Sequence, residues 1–181
     1  MYNYNIITNN NNGDDMYLIN NFFIFSIMGH IFESIMFIFL NNNNNSGILI
    51  GPITPVYGFG IVLIILINKI IDKFNLNIIA KIIISFLLYT IILSFIEFIG
   101  GIIIEKLFNK VFWDYTNHKF NWGHYISLEM ALLWGIISSL YLFVFKRLFD
   151  KLIKKIPNYV TYFFMILFLS DLIATLIIKL K

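Results

Sequence analysis

Five long apolar runs, Phe22–Leu40, Val56–Ile71, Ile82–Ile104, Ile126–Phe145 and Val160–Ile178, constrain this chain more than any motif in it. Each is nearly unbroken Ile, Leu and Phe. Most reach the roughly 20 residues that cross about 30 Å of hydrocarbon at about 1.5 Å of helical rise per residue. Buried strands are far shorter, and half-buried ones alternate apolar with polar, which these runs do not. A helix satisfies its own backbone where no water can. The reading is therefore all-α: a polytopic transmembrane helical bundle of about five spans.

Composition agrees, since 59% apolar and 13% charged residues lie well outside the soluble balance. The formal charge of +3 does not form one basic patch; the basic residues flank the apolar runs and read as topology signals, with no nucleic-acid partner expected. Absence of cysteine excludes disulfides, thiolate chemistry and Cys-based zinc sites. Residues 1–21 read as a polar, Asn-rich N-terminal tail and 22–181 as a single transmembrane domain. The tail carries Asp14 and Asp15 and lacks the positive start of a secretory signal, so the first span is expected to be retained. The Asn41–Asn45 run reads as a polar spacer.

Orientation follows from Lys and Arg. Lys69, Lys73 and Lys81 lie between the second and third spans, and Lys146, Arg147, Lys151, Lys154 and Lys155 between the fourth and fifth. Lys106, Lys110, Lys119, Lys179 and Lys181 fall on the opposite side. The richer side is expected to be cytoplasmic, in a plasma membrane, which places the Asn41–Tyr57 and Glu105–Tyr125 loops outside.

Three groups of residues carry the chemical signal. The first is the run from Ser46 and Gly47 to Gly60, in which Gly51, Pro52, Pro55, Tyr57, Gly58 and Gly60 specify an unusual backbone. It reads either as a tight entry turn into the second span or as a broken, re-entrant segment lining a cavity. The second is an outer loop with Trp113, Asp114, Tyr115, Asn121 and Gly123. An interfacial aromatic belt accounts for its rings, while Asp114 and Asn121 suit either turn capping or ligand contact. The third is the set of ionisable groups within spans: His30, Glu33, Glu97, Glu129 and Asp171. His30 and Glu33 are three apart, on one helix face, where they can pair. No Lys or Arg inside a span neutralises the acids, so each is neutral and hydrogen-bonded, sits in a wet cavity, or holds a cation. A single His gives little ground for a metal, and no metal or cofactor is expected. GxxxxGK[ST], GxSxG, SxxK and HExxH are all missing from the sequence.

These residues resemble the Putative ABC-transporter type IV, or CmpB-like, integral membrane family. The resemblance covers about residues 22–140. It rests on Gly29–Glu33, on Gly47 and the GPITPVYGFG run, on Glu97 followed by Gly100 and Glu105, on Trp113-Asp114-Tyr115 with Phe120-Asn121 and Gly123, and on Trp134-Gly135. Ser46 stands where relatives often carry Arg, and His30 where they often carry Trp. The resemblance implies a permease-like subunit with a separate ATPase partner and an ion or small-molecule substrate. On the residues, Glu33, Glu97 and Asp171 would line a polar cavity open to the outer face. The alternatives are an intramembrane enzyme of lipid or envelope metabolism, assisted by Asp114 or His124, and a non-catalytic partner in a larger membrane complex.

Overall fold

A computed structural model describes residues 11–39 and 48–179. Ser46, Gly47, the Asn41–Asn45 spacer, residues 1–10 of the Asn-rich tail and Lys181 lie outside the described residues. The described residues form five helices: α1 (Asn11–Phe39), α2 (Pro55–Ile71), α3 (Ile78–Phe108), α4 (Leu128–Ile153) and α5 (Asn158–Lys179). Between α3 and α4 lies a two-stranded antiparallel ribbon, β1 (Asn121–Trp122) with β2 (Ile126–Ser127). The all-α polytopic bundle is thus the observed architecture.

Local chemistry explains the boundaries. Pro55 opens α2, where its missing N–H is harmless. Asn77 caps α3 by accepting from Ala80 N at 2.8 Å, and Ser127 caps α4 from Met130 N at 3.3 Å. Asn109, in the left-handed region at φ 50°, ends α3, and Gly123 at φ 64° turns the ribbon. Within α4, Tyr141–Phe145 is π-helical, and the widened turn buries the consecutive residues Tyr141 and Leu142.

Among the described residues four helices are long and apolar enough to cross a bilayer: α1 over Gly13–Ile35, α3, α4 and α5. The second expected span differs. Helix α2 has 17 residues, about 26 Å of rise, and starts inside the bundle instead of at its end. Helix α1 is already helical at Asn11, ahead of the apolar run that starts at Phe22, and takes in residues 11–21 of the polar tail.

Helix α1 packs along α2 and α3 along α4, with a thinner α2–α3 contact joining the two pairs; α5 and the end of α4 lie on α1. The core centres on Ile61, Ile64, Ile65, Tyr89, Tyr141 and Leu142. Outward faces carry Ile91, Phe95, Phe163 and Ile166, all more than half exposed, as lipid-facing helices require. One end of the bundle is ionic: Lys69–Asp14 at 3.1 Å, Lys146–Asp150 at 2.6 Å, and Lys81–Asp72. Segment 48–54 and loop 109–127 lie toward the other.

Candidate functional site

At that loop end, acids from the two helix pairs converge. Glu97 of α3 is 8% exposed, and both its oxygens are engaged: Oε1 accepts from the Tyr115 hydroxyl at 2.9 Å and Oε2 from Trp134 Nε1 of α4 at 3.0 Å. Burial, reinforced by the Glu97 carboxyl, pushes the Tyr115 phenol far above the usual tyrosine range, so it stays a donor. Trp134 packs edge-on against Tyr57 of α2, with ring centroids 5.8 Å apart. Tyr57 in turn faces Glu33 of α1 and lies near Glu97 as well. Thr54 Oγ1 sits beside the Glu33 carboxyl without a well-aligned hydrogen bond. Glu33, Tyr57, Trp134, Glu97 and Tyr115 thus form one polar cluster spanning both pairs.

Close backbone approach makes the cluster possible. A Cβ on Gly29 would overlap the Tyr57 ring, so that glycine lets the ring lie across α1. A Cβ on Gly58 would overlap Ser26 Oγ and come 2.6 Å from the Phe22 carbonyl oxygen, so α2 enters against the α1 backbone. Among the described residues no Lys, Arg or His forms an ion pair with Glu33 or Glu97. On the same α3–α4 seam, Thr90 Oγ1, Ser94 Oγ and Ser139 Oγ are buried without hydrogen-bond partners.

The other sequence candidates lie elsewhere. No hydrogen bond or ion pair joins His30 to Glu33, and His30 Nδ1 is buried without a partner. Asp171 of α5 accepts from Gly51 N through both oxygens, at 3.0 and 3.1 Å. Gly60 meets only ordinary packing, against Leu93, while Pro52 and Pro55 shape the approach to α2. In loop 109–127, Asp114 Oδ1 accepts from Thr116 N at 2.9 Å, and that bond holds its carboxyl below the usual aspartate range. The Asn121 amide donates to the carbonyls of Thr116 and His118 at 3.1 and 2.7 Å. Both residues therefore brace the loop. Trp113 Nε1 donates to the Tyr125 carbonyl at 3.0 Å, and Glu105 accepts from the Tyr125 hydroxyl at 2.5 Å and contacts His124 Nε2 at 3.0 Å. The Glu105 bond pushes the Tyr125 phenol above its usual range.

Glu129 stands apart from Glu97. It accepts from Phe120 N at 3.3 Å and lies 3.9 Å from His118 Nδ1. Ser127 Oγ is 2.8 Å from that same Nδ1 and also caps α4. A serine, a histidine and an acid are therefore adjacent, but serine and acid address one ring nitrogen instead of opposite ones, which is not relay geometry.

Sequence reasoning named neither Thr54 nor Trp134 as site residues. For Trp134 a signal existed: an indole N–H within an apolar helix requires an acceptor in the bundle. Thr54 gave none, being a small polar residue beside a proline.

A family model described as "Putative ABC-transporter type IV" matches residues 20–179, extending the similarity through α5. No curated protein and no solved structure matches the chain.

Proposed function

The chain belongs to the Putative ABC-transporter type IV family, and from that premise we propose that it is a permease-like subunit of the plasma membrane whose Glu33–Glu97 cluster handles a proton or another cation. The observation that carries this reading is the convergence of two unpaired acids, from separate helix pairs, on shared tyrosine and tryptophan side chains. In a membrane interior such acids mark ion or proton pathways. A small relative movement of the pairs would change the donors around each acid, which couples charge to conformation. Nucleotide hydrolysis would reside in a separate ATPase subunit, because this sequence carries no phosphate-binding GxxxxGK[ST] loop.

The test is cation and proton flux into proteoliposomes under an imposed potential, with Glu97→Gln and Glu33→Gln compared against the native chain at matched abundance. Gln keeps shape and hydrogen bonding but cannot ionise. Lost flux with normal abundance is the expected result. Full flux with normal abundance would overturn the reading, and lost abundance would reduce the acids to interhelical hydrogen-bonding groups.

A further inference from the structure

Residues 48–54 have no helical or strand backbone, yet they run into the interior of an apolar bundle. Thr54 N donates to the Ser26 carbonyl at 3.0 Å. Ser26 lies thirteen residues before Phe39, the last residue of α1, so the segment reaches about 20 Å back along that helix at 1.5 Å per residue. Non-helical backbone at such depth persists only where protein satisfies its polar groups.

Helix α5 supplies those partners in a regular series. Lys179, Thr175 and Asp171 are spaced by four, so they form one stripe along the helix. Lys179 Nζ donates to the Ile48 carbonyl at 2.7 Å, Thr175 Oγ1 accepts from Ile50 N at 3.2 Å, and Asp171 accepts from Gly51 N at 3.0 and 3.1 Å. Thr175 is 1% exposed, and Leu49 and Ile53 are buried on the segment itself. A Cβ on Gly51 would come 2.8 Å from Asp171 Oδ2, so a larger residue at the third rung would have to displace that carboxylate.

We propose that Asp171 is a positioning residue: with Thr175 and Lys179 it latches segment 48–54 as a re-entrant element and thereby sets Thr54 and Tyr57 against Glu33. Its carboxyl works as an acceptor for backbone N–H, and transport does not require it to ionise. Only the consequence for Tyr57 and Glu33 rests on the function proposed above; the latch itself does not.

The native chain has no cysteine, so a single Ile53→Cys reports burial of the segment without background. Its rate of maleimide labelling is measured in the native, Asp171→Asn, Asp171→Leu and Thr175→Val backgrounds. Asn retains an acceptor, so labelling should stay near the native rate and cation flux should survive. Leu leaves Gly51 N unpaired and should raise labelling by about tenfold or more, with Thr175→Val giving a smaller rise. Native labelling rates in both Leu and Val variants would overturn the latch. So would Asp171→Asn that loses flux while labelling is unchanged, since the acid would then be needed for its charge. Should the Leu variant fail to accumulate, Thr175→Val and Asp171→Asn decide the matter alone. If Glu97→Gln keeps full flux, the proposed function fails while the labelling result still judges the latch.

Discussion

Glu97 is surrounded by donors and not by cations, which makes Tyr115 and Trp134 separable from it by mutation. Tyr115→Phe and Trp134→Phe each remove one donor and keep most of the ring volume, so each should destabilise by about 1–3 kcal/mol in detergent melting. If the acid and its donors act as one unit, adding either change to Glu97→Gln should lower flux no further. Fully additive losses would show the donors acting elsewhere. The glycines allow a sharper contrast, because the structure distinguishes those that face backbone or ring from those that face open space. Gly29→Leu and Gly58→Leu should cost about 1–3 kcal/mol or more, through overlap with Tyr57 and with the α1 backbone. Gly100→Ala meets nothing within 4 Å and Val56 is 45% exposed, so Gly100→Ala and Val56→Leu should stay within about 0.5 kcal/mol. Equal abundance of all four variants would show that the close α1–α2 approach is not required.

Loop 109–127 closes over Glu97 as a small braced unit, fastened at one point to α3 by Glu105 and at another to α4 by Glu129. Glu105→Gln weakens the first fastening, and hydrogen exchange should then quicken at Trp113–Tyr125 while the α3–α4 seam stays protected. Unchanged exchange in the loop would assign the brace to Asp114 and Asn121 alone. How much of this was readable before the structure differs by element. The long apolar runs read as about five spans, and among the described residues four of them are helices long and apolar enough to cross, because lipid exposure keeps nearly every face of a helix hydrophobic. The Gly51–Gly60 run left two readings open, because glycine and proline serve tight turns and re-entrant segments alike. What separates the readings is a hydrogen bond between Gly51 and Asp171, 120 positions apart, and no local pattern encodes it. The acids were visible as charges in apolar helices, but their partners were not: Glu33 and Glu97 converge through Tyr57 and Trp134, whereas Asp171 is bound to a different segment. The His30–Glu33 pairing that the spacing allows does not form, since helical spacing brings two residues to one face without directing their side chains at each other.

Across the whole molecule, charge and shape divide along the same axis, and this division makes membrane orientation testable. Lys69 with Asp14, Lys81 with Asp72 and Lys146 with Asp150 gather at one end, where Tyr17 also donates to Asp150 at 2.5 Å and ties α1 to α4. The acid cluster, segment 48–54 and loop 109–127 occupy the opposite end. Paired lysines count in the positive-inside bias as unpaired ones do, because Asp and Glu contribute little to it. The ionic end, which also carries Lys73, Arg147, Lys151, Lys154 and Lys155, should therefore face the cytoplasm. Lys73, Lys119 and Lys155 are all exposed, so single cysteines placed there are accessible once the correct side is reached. In intact cells, a membrane-impermeant maleimide should label Lys119→Cys, while Lys73→Cys and Lys155→Cys should react only after the membrane is opened. The reverse pattern would invert the molecule and turn the acid cluster toward the cytoplasm, where a substrate would be collected from inside the cell. Labelling of all three from outside would contradict antiparallel crossing by α3 and α4, since Lys73 precedes α3 and Lys119 follows it.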